Sequence, residues 1–187
     1  TATPLPEWQS AHGGELDNLR AALDWAFGPD GDAKLGIALT ATAVPLWVRL
    51  SLFAECRERC RTALAALGED RGNDRVRMQL LSALGWSLMY GEGRAREARP
   101  ILETTLEIAE RLDDKDFRLR ALWGLCIDQF NNGQFGKARA LADRFANAAA
   151  NSPDRTDVML GDRLMAVALH YLGDQNEARL RIDRVNA

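Results

Sequence analysis

At 187 residues and 20.7 kDa, the chain is long enough for one domain or for an array of small units. Its 29 Ala and 27 Leu, against 19 Val, Ile and Thr together, disfavour a substantial sheet, because strands favour β-branched residues and helices favour Ala and Leu. Hydrophobic content of 47% argues against disorder, and a net charge of -3 argues against a large nucleic-acid surface, which needs clustered basic charge.

In chain order, the N-terminus lacks the basic-then-apolar layout of a signal peptide and a starting Met, so the chain reads as a piece of something longer. His12 stands beside Gly13-Gly14, where a loop is expected. The first helix is predicted over residues 15–27, with Leu16, Leu19, Leu23 and Phe27 on one face and Arg20 placed to pair with Asp24 one turn on. Gly28-Pro29 stops it. A second helix is expected over 33–50, with Pro45 forcing a kink or break, and a third over 54–67, ending at Gly68. The uncharged run 35–48 is fourteen residues and too short for a membrane span, which needs about 20 apolar residues. Three helix pairs follow: 74–90 with 95–112, 115–131 with 135–150, and 154–172 with 175–186. Pro100 should bend the fifth helix.

These pairs carry a repeat. Gly-x-x-x-x-Ala-Arg occurs at Gly93/Ala98/Arg99, Gly133/Ala138/Arg139 and Gly173/Ala178/Arg179, spaced by 40 both times, with a weaker copy at Ser51/Phe53/Cys56. Glycine supplies the left-handed residue that ends one helix, and the small residue five positions on lets the next helix approach closely. Leu84-Gly85-x-x-Leu88 and Met165-Ala166-x-x-Leu169 upstream, with Leu102 and Ile182 downstream, resemble the tetratricopeptide pattern at a period longer than the usual 34. The expected fold is all-α: a tetratricopeptide-like helical-hairpin solenoid, wound as a right-handed superhelix. It forms one domain over 1–187, with N-terminal helices and a degenerate first repeat in 1–73 and three helix-pair repeats in 74–187. The last helix has no polar cap after it, so further repeats are expected beyond Ala187, and the bare end offers a homodimer contact.

The segment Glu15-Leu-Asp-Asn18-Leu-Arg20-Ala-Ala-Leu23-Asp-Trp25-Ala resembles the one that opens the helical-repeat region of bacterial signal-transducing (STAND-type) ATPase transcriptional regulators. The stretch 52–65 is similar to that family's first repeat, where Gly more often fills the place of Cys56. The resemblance implies a cytoplasmic regulator fragment that binds a protein partner or small effector and couples that state to ATPase and winged-helix or LuxR-type DNA-binding domains elsewhere. The alternative is a stand-alone scaffold or adaptor. No Gly-x-x-x-x-Gly-Lys-Ser/Thr occurs here, so the family's ATP-binding residues cannot be carried over.

No nucleophile, acid–base or metal constellation stands out, and neither catalysis, a cofactor nor a metal is expected. Cys56, Cys60 and Cys126 read as reduced core thiols, and Asp113, Asp114 and Asp116 read as a helix start, not a calcium loop. Function is expected on the face lined by the first helix of each pair. Tyr90, Phe130 and His170 form a column three residues before each repeat glycine, with Trp86, Met89 and Tyr171 beside it. Packing against the next repeat is the commoner role for such a column, and an exposed binding stripe is the other; burial of the rings decides. Arg118, Asp128, Gln129 and Arg163 are the charged and polar candidates for the same face.

Overall fold

The computed structural model describes residues 5–68, 71–90, 95–150 and 152–186. Nine α-helices are described: α1 (Leu5–Ala26), α2 (Ala33–Arg49), α3 (Phe53–Leu67), α4 (Asp74–Met89), α5 (Ala95–Arg111), α6 (Lys115–Asn131), α7 (Phe135–Ala149), α8 (Arg155–Tyr171) and α9 (Gln175–Asn186). There is no strand among the described residues, and none of the described helices is long and apolar enough to cross a membrane. Each helix packs chiefly on its sequence neighbours, so that α2/α3, α4/α5, α6/α7 and α8/α9 stack as successive hairpins. One contiguous apolar core runs the whole length, from Leu23 in α1 to Ala178 in α9. This is a helical-hairpin repeat solenoid, in which each pair buries its apolar face only against its neighbours.

The repeat register explains how each hairpin closes. Gly133 (φ 68°) and Gly173 (φ 91°) are left-handed, and so is Ser51 (φ 57°) at the degenerate first copy. At Gly133 the glycine N–H donates to the Phe130 carbonyl and the Gln134 N–H to the Gln129 carbonyl, at 3.0 and 2.9 Å. The same two bonds recur at Gly173, from Gly173 to His170 and Asp174 to Leu169, and at Ser51, from Ser51 to Val48 and Leu52 to Trp47. These are Schellman closures, which satisfy the last carbonyls of the first helix while reversing the chain. Gly93, the remaining repeat glycine, lies outside the described residues, as do its neighbours in 91–94. The small residue five positions on is buried in every copy: Cys56, Ala98, Ala138 and Ala178. A Gly133→Val variant is expected to lose about 1 kcal/mol or more, because a β-branched residue is strained in the left-handed region. An unchanged denaturation midpoint would contradict that turn geometry.

Asp32, Asp114 and Asp154 cap α2, α6 and α8, each accepting from backbone N–H groups of the first turn. The hydrogen bond from Thr156 holds the Asp154 carboxyl below its ordinary range. Asp113 takes a left-handed turn (φ 51°) ahead of the Asp114 cap, so this acidic run starts a helix, as expected.

Three local expectations need correction. Helix α1 begins at Leu5 and not near residue 15, so the backbone at His12 is helical and not a loop. The Gly13-Gly14 pair lowers helix propensity by about 1 kcal/mol per residue, and the helix is carried through it. Helices α2 and α5 each run unbroken through their proline, Pro45 and Pro100, both at exposed positions. Arg20 does not pair with Asp24: it donates to Glu55 of α3 at 2.6 Å and to Asp17 at 3.0 Å, while Asp24 accepts from Arg59 at 2.5 Å. Two cross-helix pairs thus clamp α1 onto α3, and the Arg20 guanidinium holds the Glu55 carboxyl below its ordinary range.

All three cysteines are free and buried. Burial pushes the Cys126 thiol up to about 12, and it donates to the Ala138 carbonyl across the α6/α7 contact. Burial and the neighbouring Cys56 likewise raise Cys60. Cys60 and Cys126 are thus packing thiols, protonated at neutral pH, whereas the hydrogen bond with Cys60 lowers the Cys56 thiol to about 7.

Candidate functional site

The first helices of the pairs, α2, α4, α6 and α8, line one face, and two clefts lie along it. One, of about 680 Å³, is walled by Val44, Pro45 and Val48 of α2, by Gln79, Ser82, Ala83 and Trp86 of α4, by Phe117 and Arg120 of α6, and by Phe53 and Tyr90. The other, of about 400 Å³, opens between α6 and α8 and carries Lys115, Asp116, Asp154 and Asp157. Trp86 and Arg120 line both.

A ladder of four aromatic rings crosses this region. Phe53 stacks on Tyr90 at 5.1 Å between centroids, Tyr90 on Trp86 at 5.8 Å, and Trp86 on Trp123 at 4.7 Å with the planes 3° apart. Stacking holds the side chains in place, yet the rings are not sealed in the core: Tyr90 is 54% exposed, and Trp86 and Trp123 are half-buried. Rings held rigid and left partly wet are suited to binding, since little rotamer entropy remains to be lost. Arg120 stacks its guanidinium over Phe117, 5.2 Å from the ring centroid.

Two of the three residues of the period-40 column therefore lie outside the core. Tyr90 and His170 are exposed, and Phe130 is half-buried against the core. Its members are not brought together, however. Tyr90 belongs to the ladder with Trp86. His170 is tied to the next turn, with Nδ1 2.8 Å from Gln175 Oε1, and lies edge-on to Tyr171. Tyr171, 58% exposed, stacks on Phe135 at 4.4 Å. Phe53–Tyr90 and Phe135–Tyr171 are equivalent contacts, in which a phenylalanine opening the second helix of one pair stacks on a tyrosine ending the first helix of the next. Met89 is half-buried and lines a further cavity of about 490 Å³ with Tyr90 and Trp123.

The charged candidates separate. Asp128 is only 6% exposed and is committed within the fold, accepting from Arg99 of α5 at 2.6 Å and from Asn132 and Gln129. Gln129 is buried beside it, and its Oε1 has no partner. Asp128 thus ties α6 to α5 and also lines the 490 Å³ cavity beside Met89, Tyr90 and Trp123. Arg118 is half-buried, 3.9 Å from Asp113 through one guanidinium nitrogen, with its Nε sealed and unpartnered. Arg163 is exposed on α8. Sequence reasoning missed Phe53, Phe117, Arg120 and Trp123. Trp123 stands 37 residues after Trp86, so counting by 40 passes over it.

Among the described residues, no group of three or more His, Cys, Asp or Glu is placed to hold a metal ion. The chain matches no protein-family model and none of the curated proteins.

Proposed function

We propose that this chain is the ligand-recognising helical-repeat region of a bacterial ATPase-type transcriptional regulator. In that role it binds a protein partner or small effector on the face of α2, α4, α6 and α8 and passes the bound state to ATPase and DNA-binding domains. The aromatic ladder carries the binding half of this reading: four stacked rings beside an open cleft are a prepared apolar contact surface. The resemblance of residues 15–25 and 52–65 to the regulator family supports the other half. The coding sequence upstream of Thr1 tests it. A Gly-x-x-x-x-Gly-Lys-Ser/Thr motif is expected there, whereas a start codon immediately before Thr1 leaves the scaffold reading instead.

A second surface supports self-association. Ile182 in α9 is 39% exposed, whereas its equivalents Leu102 and Ala142, at the same repeat position, are fully buried under the following helix. With Val167 and Tyr171 it lines an open cleft whose apolar surface a further helix pair or a second copy would cover.

A further inference from the structure

We infer that the cleft between α2, α4 and α6 binds a small organic monoanion with an apolar, preferably aromatic, body, its acidic group held by Arg120. The inference rests on the binding-face reading above and names the ligand class that the face accepts. Volume comes first: about 680 Å³ lies within the range of small-molecule sites, which hold few polar groups on largely apolar walls. The walls match that description. Val44, Val48 and Phe117 supply apolar surface, and Trp86 with Tyr90 supplies flat, pre-stacked rings. Charge selects the sign. Arg120 is the one ionisable side chain of fixed charge on the wall. Phe117 orients its guanidinium, and no carboxylate among the described residues pairs with it within 4.0 Å.

Position along the face limits where the anion can sit. The second cleft also reaches Arg120 but adds Asp116, Asp154 and Asp157 against Lys115, so an anion there meets more negative than positive charge. The favourable site lies on the Tyr90 side of Trp86, where the other side chains of the wall are all neutral, including Gln79 and the buried Ser82. A guanidinium there accepts a carboxylate or sulfonate in fork geometry while the rings hold the body.

The test uses the 187-residue chain with 4-phenylbutyrate, its primary amide, and anilinonaphthalene sulfonate as a fluorescent probe, read by calorimetry and fluorescence titration. One saturable site is expected, with the acid bound about tenfold or more tightly than the amide. Arg120→Gln, at an exposed position that leaves the core intact, should erase that preference, and Val44→Trp should fill the cleft and displace the probe. Equal affinity for acid and amide overturns the proposal, as does a preference surviving in Arg120→Gln or the absence of saturable binding. If the amide still binds and Val44→Trp abolishes it, the binding face stands and the anion assignment alone is lost. The upstream-motif test is independent of all these outcomes.

Discussion

Leu102→Ala is expected to lower stability by about 2–5 kcal/mol, the range for emptying a fully buried leucine site. The expectation is specific because of what surrounds the side chain. Leu102 of α5 is driven between the first helices of two successive pairs, into space that Gly85 of α4 and Gly124 of α6 leave free. A Cβ at either glycine would come within 2.8 Å of a Leu102 methyl carbon. Residue 102 is thus a wedge shared by two hairpins, and its loss opens a cavity at the seam that carries the core from one pair to the next. The glycines supply a control of opposite sign. With Leu102 present, Gly85→Ala and Gly124→Ala gain about 1 kcal/mol of helix propensity but incur about 1–3 kcal/mol of overpacking. In the Leu102→Ala background the clash is gone and the same substitutions should stabilise. Urea midpoints for the four-member cycle measure this coupling directly. Additive behaviour, or an unaltered midpoint for Leu102→Ala, would refute the wedge.

The wedge also shows what was legible in the sequence. The Gly-x-x-x-x-Ala-Arg spacing reports hairpin closure and close helix approach, both of them local and repeated, so Ser51 could be matched with Gly133 although it is not a glycine. Helix bounds followed for the same reason, with α6 and α9 falling on the expected residues. The site was read less well. Exposure of Tyr90 and the partnership of Trp86 with Tyr90 fit a binding stripe, but the rest of the ladder comes from Phe53 in a neighbouring pair and from Trp123, out of the 40-residue register. Gly85 and Gly124 meet the same leucine although 39 residues separate them, so a count of 40 does not pair them. A shift of one residue turns a helical position by about a quarter of a turn, enough to exchange a groove side chain for a seam side chain. Arg120 lacked any signal, since one arginine among 21 becomes distinctive only when its neighbours in space are known.

Asp128 leads to a second large expected effect, and to an asymmetry between the two halves of one ion pair. The carboxylate is 6% exposed, whereas the Arg99 side chain opposite it is 39% exposed. Removing the cation by Arg99→Met strands a negative charge in the α5/α6 seam with only the amides of Gln129 and Asn132 as donors, a loss of about 3 kcal/mol or more. Removing the anion by Asp128→Asn leaves a guanidinium that can turn into water. The expected loss is then about 1 kcal/mol, that of a charge-assisted hydrogen bond exchanged for a neutral one. Arg99→Met should therefore be the more damaging change, although it alters the more exposed residue, and adding Asp128→Asn to it should restore part of the stability. Denaturant midpoints order the three variants, and an Asp128→Asn variant less stable than Arg99→Met would overturn the assignment. Because neither partner lines the cleft between α2, α4 and α6, none of the three should alter binding of the anionic probe. Loss of binding in a folded Asp128→Asn protein would return that carboxylate to the groove.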